Sequence, residues 1–396
     1  MQRVSRIDRW LVLILVVGIG LYLGWTIFVV ATNRPVDYYT YLVAARALSR
    51  GENIYLASSG TYTTTAAQLG ITTSIPVYRY PLLSAIVVWP LTQLPLQAGA
   101  FIWVFGSGLA ALASGLVLGA RARAPWQRRL ILIATIGFTP ILTTMHAGQI
   151  NAYVLLATAI GISQWRGTCD VNAGASLAIG LWLKPFAVAL PVLAAWRMQW
   201  RIIAAVAVAG GALTIAGIAA FGLAPTLSQV AGMSSLSLHS VGLSSISTNQ
   251  NLNGMVGRHL GFLPPQTGLT IYVGVVLLLG LSTVALLLPP GKPKRPIELE
   301  AALLIVATHL LMNQTWYHHL TMVLIAFAVL IERWNDWRLI TLPKAMLVLS
   351  YVGLSAYGVV YKLFPAGSWM LDVGAWSTLV LWTLLAVELR RAAVNP

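Results

Sequence analysis

Acidic residues are scarce in this chain, which has only 10 Asp and Glu among its 396 residues, against 25 Lys and Arg. Charged residues make up 9% of the sequence and hydrophobic residues 58%, whereas soluble domains carry roughly 25% charged residues. This composition excludes an ordinary soluble domain. The formal net charge of +15 does not predict nucleic-acid binding, because the basic residues stand in short clusters between apolar runs.

Cysteine is also nearly absent. The single Cys169 excludes a disulfide within the chain and any multi-cysteine metal site. The sequence has no HExxH motif, and no second carboxylate pairs with Asp37. We therefore predict neither a metal nor another cofactor, although a zinc site built from His146, His318 and Asp37 is an alternative. We find no internal repeat, so the inverted-repeat signature of many transporters is missing.

Apolar runs long enough to cross a membrane recur from one end of the chain to the other. The first, Trp10 to Ala31, is long for a signal peptide and lacks a convincing cleavage site, so it is interpreted as a retained membrane helix. The sequence predicts an all-α polytopic protein that forms one domain over residues 1–396. We expect it to be integral to a bacterial-type plasma membrane.

Clusters of basic residues set the expected orientation, because Lys and Arg are enriched on the cytoplasmic side of membrane proteins. Both termini are then cytoplasmic. The residues placed inside are Arg3, Arg6, Arg9, Arg121, Arg123, Arg128, Arg129, Arg197, Arg201, Lys292, Lys294, Arg295, Arg333, Arg338, Arg390 and Arg391. The basic residues left outside are Arg34, Arg46, Arg50, Arg79, Lys184, Arg258 and Lys362.

This orientation requires three apolar stretches, 129–165, 173–196 and 298–332, to turn back near their middles. The expected breaks are 146–151, Lys184-Pro185 and 313–319. Half of the 173–196 stretch spans roughly 18 Å, short of a hydrocarbon core of ~30 Å. Such short helices are tolerable where their turn lines a wet cavity walled by protein. The alternative is one span over 173–196 with a buried Lys184, which would invert the flanking loops.

The count then comes to twelve membrane helices and two outer loops, 32–96 and 222–265. The predicted spans are 10–31, 97–120, 129–146, 150–165, 172–183, 185–197, 202–221, 266–289, 298–312, 320–332, 339–361 and 372–389.

Asp37 stands at the start of the first outer loop, just beyond the first span. A charge at the rim of a membrane protein is costly and usually functional. Residues 38–50 predict a short amphipathic helix with Asp37 as its N-cap or first-turn acid and Gly51 as its C-cap. The structural alternative is that Asp37 only caps this helix. Residues 76–95 predict an interfacial helix with aromatic residues at the headgroup level.

All three breaks are expected on the outer side, together with Asp37. They carry the polar residues His146, Gln149, Asn151, Lys184, Asn313, Gln314, His318 and His319, and the second outer loop adds His239, Asn249, Asn251, Asn253, Arg258 and His259. Three helix N-termini would point at this region, and helix N-termini attract anions. The pattern indicates a site for an anionic, phosphorylated substrate. Structural alternatives remain for Lys184, His146 and Arg258, and only one of His318 and His319 is expected to serve a ligand.

The order of these motifs resembles glycosyltransferase family 87, a family of membrane enzymes of the GT-C class. The resemblance begins with Asp37-Tyr38, Ala44-Ala45-Arg46-Ala47-Leu48, Gly51, Tyr55 and Tyr80-Pro81-Leu82. It continues with Gly148-Gln149-Ile150-Asn151, Leu183-Lys184-Pro185, Trp196-Arg197 and Trp316-Tyr317-His318-His319. One departure is that Leu82 follows Pro81 where the family often has a second proline.

The resemblance implies a GT-C type bundle with its key acid in the first outer loop, which matches Asp37. It also implies a polyprenyl-phosphate sugar donor, with mannose as the family's usual sugar, and a glycolipid or glycan acceptor at the extracytoplasmic face. Membrane lipids are the remaining expected partners.

The chemistry can also be argued from the residues. A lipid phosphate leaves as a stable anion without a general acid, so one carboxylate can suffice, whereas glycoside hydrolysis typically uses two. Asp37 is the predicted general base of an inverting transfer. The predicted donor-phosphate ligands are Lys184, Arg258, His318 and His319. The predicted acceptor- or sugar-binding residues are Tyr38, Arg46, Arg79, Tyr80, His146, Gln149, Asn151, Asn251 and Trp316.

Three other classes stay open at this point. A multi-span lipid or sugar transporter or flippase fits the helix count and the cationic cluster. A polysaccharide polymerase or ligase fits the outer arginine and histidine residues. A noncatalytic membrane subunit of a larger complex is the third alternative.

Overall fold

The structure is a computed structural model and describes residues 8–55, 59–229, 243–288, 295–336, 341–365 and 368–394. Six residues used in the sequence analysis lie outside these ranges: Arg3, Arg6, His239, Lys292, Lys294 and Arg338.

Every regular element of the described residues is a helix, and turns and loops join the helices. The helices are α1 (Arg9–Ala31), α2 (Val36–Leu48), α3 (Ser59–Gln68), α4 (Leu82–Val88), α5 (Leu96–Gly119), α6 (Pro125–Gly137), α7 (Thr139–Ala147), α8 (Asn151–Arg166), α9 (Asp170–Leu183), α10 (Ala189–Trp196), α11 (Trp200–Phe221), α12 (Leu252–His259), α13 (Pro265–Leu286), α14 (Ile297–Leu311), α15 (Leu324–Glu332), α16 (Thr341–Leu363) and α17 (Val373–Val394). Short 3-10 helices add Trp89–Gln93, Pro185–Ala187, Tyr317–Val323, Trp334–Asp336 and Trp369–Asp372. An isolated antiparallel bridge joins Asn249 to Trp316.

Six helices of the described chain are long and apolar enough to cross a membrane: Arg9–Ala31, Leu96–Gly119, Trp200–Phe221, Pro265–Leu286, Leu342–Leu363 and Trp369–Ala393. The all-helical, multi-span prediction is therefore confirmed. The other six predicted spans coincide with shorter or broken helices, so the count of twelve stays a prediction.

The three predicted breaks are all present as interruptions between helices. α7 ends at Ala147, α9 ends at Leu183, and α14 ends at Leu311. A fourth break, at Phe138, was not predicted and bends α6 against α7 by 42°. Pro140 lies in the first turn of α7 and has no N–H to donate, which is compatible with a helix start there.

Close helix packing builds the centre of the protein. α9 lies against both α8 and α11, and α5 lies against α1, α6 and α8. A Cβ atom at Gly174 of α9 would come within 2.5 Å of the Ile202 carbonyl oxygen of α11. The absence of that atom lets the two backbones approach, as small residues do in membrane bundles.

Two clusters of buried charges also tie helices together. Arg166 of α8 pairs with Glu332 of α15 at 2.9 Å and with Glu298 of α14 at 3.5 Å. Arg197 and Arg295 both face Glu300, at 2.7 and 3.2 Å. Buried charges are tolerated when they are paired in this way.

Residues 32–96, the predicted first outer loop, contain more structure than the sequence predicted. Its helix α2 includes Asp37 in the first turn, as expected, but the predicted C-cap is wrong by two positions. Ser49 is the C-cap residue, and Gly51 follows it in the left-handed region with φ +78°. α4 and the Trp89–Gln93 turn form a short helical segment within the predicted 76–95 stretch, and its interfacial position stays a prediction. α3 was not predicted.

Candidate active site

A cavity of about 610 Å³ lies where α2, the segment before α4 and the three predicted breaks meet. It is lined by Asp37, Pro76, Val77, Arg79, Tyr80, Gln149, Lys184, Gln314, Trp316, His318 and His319. The structure thus brings eight of the predicted site residues to one cavity: Asp37, Arg79, Tyr80, Gln149, Lys184, Trp316, His318 and His319.

The turn after α7 places Gln149 beside α2. Gly148 has φ +69°, a left-handed conformation that L side chains rarely adopt. A Cβ atom there would lie 2.7 Å from the Tyr38 Cβ atom. The Gly148 carbonyl accepts a hydrogen bond from Trp103 Nε1 at 2.8 Å. A glycine at position 148 therefore allows the turn after α7 to pack directly against α2 behind the cavity.

Lys184 stands in extended backbone between α9 and the Pro185–Ala187 turn, outside the six candidate spans. Its ammonium group donates to Asn151 Oδ1 at 3.0 Å and to Gln149 Oε1 at 3.2 Å, and it lies 3.2 Å from His319 Nε2. The Phe186 ring lies 4.5 Å from Nζ, close enough for a cation–π contact. Lys184 is thus a buried cation held largely by neutral polar groups.

Gln149 connects the lysine to the aromatic side of the cavity. Its Oε1 atom accepts from Tyr41 Oη at 2.9 Å as well as from Lys184. Its Nε2 atom donates to Tyr80 Oη at 2.9 Å. Since every polar atom of the amide is engaged, its orientation is fixed beside Asp37.

The acid and the lysine influence each other's ionisation. Burial raises the pKa of Asp37, while a hydrogen bond from Gln149 and the charge of Lys184 pull it down. Burial lowers the pKa of Lys184 to about 7, against the attraction of Asp37. The cavity therefore holds one carboxylate and one ammonium group, and each offsets part of the other's burial.

The ionisation of the histidine pair depends on its surroundings. Burial lowers the pKa of both His318 and His319 well below the usual value, and the charge of Lys184 lowers both further. Both shifts favour the neutral imidazoles. His319 Nδ1 accepts from the Trp316 N–H at 3.3 Å, and its Nε2 atom lies beside Lys184 Nζ, so both of its ring nitrogens are engaged. Among the described residues, His318 Nε2 has no hydrogen-bond partner. The His318 carbonyl is held in place by Asn151 Nδ2 at 2.9 Å.

Five predicted site residues lie away from the cavity lining. Arg258 pairs with buried Asp372, and Asn251 caps α12 through the Gly254 N–H. Tyr38 is buried against Trp103. The other two are Arg46, exposed in the last turn of α2, and His146, half-buried beside the Trp25 ring. Asn151 does not line the cavity either, but it contacts Lys184 directly.

Sequence reasoning missed several residues of this region. Pro76 and Val77 line the cavity, and their only signal was their position just before the Tyr78-Arg79-Tyr80 run. Tyr41 orients Gln149 from a helix face that has no distinguishing pattern. Asp372, the partner of Arg258, lies far along the chain and had no local signal.

Metal ligands are not grouped in this part of the protein. Within the described ranges, no three His, Cys, Asp or Glu side chains are arranged to hold a metal ion. The polar groups of the cavity are instead suited to an anionic, hydroxyl-rich ligand, since they combine two cations, Lys184 and Arg79, with one acid, amides and aromatic rings.

Fold and site together define a helical multi-span membrane protein with a polar cavity built around one acid and one buried lysine. Residues 78–313 match the model of glycosyltransferase family 87, which is more than half of the chain. The chain belongs to this family, as its motifs predicted. Asp37 and the 316–319 motif lie outside the matched segment.

A relative from Mycolicibacterium smegmatis is 30% identical over 209 residues. It is the polyprenol-phosphate-mannose-dependent alpha-(1-2)-phosphatidylinositol pentamannoside mannosyltransferase, and the alignment covers 50% of this chain. The alignment covers 47% of the relative, so the chain spans about half of the relative's length. No solved structure matches the chain.

Proposed function

We propose that this protein is an inverting glycosyltransferase that moves a hexose from a polyprenyl-phosphate donor to a hydroxyl of a glycolipid or glycan acceptor. The observation that carries the proposal is the placement of Asp37 and Lys184 on one polar cavity. Family membership and the mannosyltransferase relative support the reaction class. The relative's name also supports mannose as the sugar and a glycolipid as the acceptor.

The lone carboxylate suits a donor that already carries a good leaving group. In the proposed reaction Asp37 takes the proton from the acceptor hydroxyl while that oxygen forms a bond to the anomeric carbon. The bond from the anomeric carbon to the phosphate oxygen breaks on the opposite face, and the polyprenyl phosphate leaves as an anion. Attack opposite the leaving group inverts the anomeric centre.

Lys184 is the proposed ligand of the departing phosphate. Its ammonium group is buried, so its interaction with an anion is stronger than in water. His318 Nε2, which has no partner among the described residues, is the proposed neutral donor to the same phosphate. Preorganised donors of this kind stabilise charge that develops in the transition state. Arg258 stays outside this proposal because it is committed to Asp372.

The remaining lining residues are proposed to hold the sugar and the acceptor. Gln149 presents an oriented amide, and Asn151 supports it through their shared contact with Lys184. Tyr80 and Trp316 offer ring faces to a sugar, and Arg79 is an exposed cation at the cavity.

We place the cavity at the extracytoplasmic face of a bundle of twelve membrane helices with both termini in the cytoplasm. The support is the distribution of Lys and Arg along the sequence. Cysteine labelling tests this orientation. Single cysteines are introduced at Gly60 and at Arg390 in a Cys169→Ala background, and each variant is treated with a membrane-impermeant thiol reagent. We expect labelling of intact cells at residue 60 and only of broken cells at residue 390.

The reaction itself is tested with the purified protein in lipid nanodiscs. Synthetic polyprenyl-phosphate mannose and membrane glycolipid acceptors are supplied, and products are followed by mass spectrometry. The proposal expects a product heavier by one hexose and release of polyprenyl phosphate. Movement of the donor across liposomes without any glycosylated product would instead support a flippase. Turnover only with a diphosphate-linked glycan would support a polymerase or ligase.

A further inference from the structure

Asp372 stands at the end of the C-terminal 3-10 helix and is fully buried. Arg258 Nε donates to its Oδ1 atom at 2.9 Å, and His259 Nε2 contacts its other oxygen. The Arg258 side chain is itself only 3% exposed. Two buried charges are costly to maintain, so a pair that does not line the cavity calls for a physical explanation.

The same guanidinium group also connects Asp372 to the segment that lines the cavity. Arg258 Nη2 donates to the backbone oxygen of Asn249 at 2.9 Å. Asn249 Oδ1 in turn accepts from the Thr315 N–H at 2.8 Å, and Asn249 forms the bridge to Trp316. Residues 249–250 are thus held between the arginine and the segment that carries the cavity-lining residues Gln314, Trp316 and His318.

Gln250 makes a parallel connection between the same three parts of the chain. Its backbone N–H donates to the Thr315 carbonyl at 2.7 Å. Its side chain donates to the Leu371 carbonyl at 2.8 Å and accepts from the Gly374 N–H at 3.0 Å. The C-terminal turn, residues 249–250 and the 312–319 segment therefore form one hydrogen-bonded unit.

We propose that Asp372 is a positioning residue for the active site, acting through Arg258 and Asn249 on the 312–319 segment. The segment between Met312 and Trp316 is not helical and cannot hold its own shape through a helical hydrogen-bond ladder. Its backbone polar groups need outside partners, and Asn249 and Gln250 supply them. The buried ion pair fixes the position of those two residues. This inference rests on the proposed function only for its kinetic readout.

The test compares Asp372→Asn, Asn249→Ala and Glu332→Gln with the wild type. Asn249→Ala removes the side-chain bond to the Thr315 N–H but leaves the ion pair and the Gln250 bond to Thr315, so it tests the last step of the connection if Asp372→Asn does not fold. Glu332→Gln is the matched control, because it disrupts another buried pair, with Arg166, at the far end of the Tyr317–Glu332 helical segment.

The first readout is backbone hydrogen–deuterium exchange of peptides covering 312–319, which needs no substrate. We expect faster exchange there in Asp372→Asn and Asn249→Ala and wild-type exchange in Glu332→Gln. The second readout is steady-state transfer. We expect kcat/KM for the donor to fall by ~10- to 100-fold in the first two variants, mainly through KM, because misplacement by about 1 Å can cost this much.

Unchanged exchange at 312–319 in a folded Asp372→Asn or Asn249→Ala protein would overturn the inference, as would equal effects in Glu332→Gln. A wild-type protein that transfers no sugar would defeat the proposed function instead, and the exchange data would still decide the role of Asp372.

Discussion

Lys184 Nζ donates to Asn151 Oδ1 over 3.0 Å, although the two residues belong to different helix breaks, 33 positions apart in sequence. The contact joins the start of α8 to the end of α9. Gln149 and His319 complete the surroundings of the same ammonium group, so the lysine is the point where all three breaks meet. The site depends on breaks in helices and not on the helices alone.

Replacement of the acid is the most direct test of the proposed chemistry. Asp37→Asn keeps the shape of the side chain but removes the base. We expect transfer to fall by ~100- to 10,000-fold, the usual contribution of general acid–base catalysis, with donor binding retained. Product formation and binding of polyprenyl phosphate are measured separately. Asp170→Asn, in the first turn of α9, is the matched control and should retain full activity. Normal turnover of Asp37→Asn would refute the assignment.

The pH profile should report both charged groups of the cavity. Below its raised pKa Asp37 is protonated and cannot accept a proton, so kcat/KM falls on the acid side above the usual carboxylate range. Lys184, with its pKa lowered to about 7, loses its charge as pH rises, so kcat/KM also falls on the alkaline side.

Lys184→Arg tests the alkaline limb of the kcat/KM profile separately from the acid limb, because arginine keeps its charge at every pH in this range. We expect the alkaline limb to move to higher pH while the acid limb remains. Lys344→Arg, beside Trp334, serves as the control and should leave the profile unchanged. An alkaline limb that stays in place in Lys184→Arg would show that another group titrates there.

Gly148 should tolerate no side chain. Alanine there would cost about 1–2 kcal/mol for the left-handed conformation, before the contact with Tyr38 is counted. The contact would also displace α2, which carries Asp37, so we expect both a lower unfolding temperature and lower turnover. Gly20→Ala is the control, because a Cβ atom there meets nothing within 4 Å. Equal unfolding temperatures for the two variants would contradict this account.

We expect the buried charge cluster around Glu300 to contribute to the free energy of unfolding, and the exposed Arg123–Asp336 pair to contribute little. Glu300→Gln leaves Arg197 and Arg295 without their shared carboxylate, and breaking a buried pair costs about 3–5 kcal/mol. Asp336→Asn removes an exposed pair with Arg123, worth roughly 0–1 kcal/mol. Thermal unfolding in detergent should therefore show a large shift for the first variant and almost none for the second.

The sequence by itself determined the helical membrane class, the family and the location of the three main breaks. The family followed from the order of the motifs along the chain, whereas the membrane class and the breaks depend on local physics. Long apolar runs favour helices, and Gly148 and Pro185 interrupt them at defined places. The acid in the first turn of α2 was visible for the same reason, since it follows directly on a membrane span.

Only the tertiary structure decided which polar residues share the cavity. Arg258 and Lys184 are both basic residues of predicted outer segments, and nothing local distinguishes them. Arg258 is engaged by Asp372, over a hundred positions later in the chain, whereas Lys184 faces Asp37 across the cavity. The ionisation of the histidine pair was equally hidden, because it depends on burial and on the charge of Lys184. Such long-range pairings follow from helix packing, which the local sequence pattern does not encode.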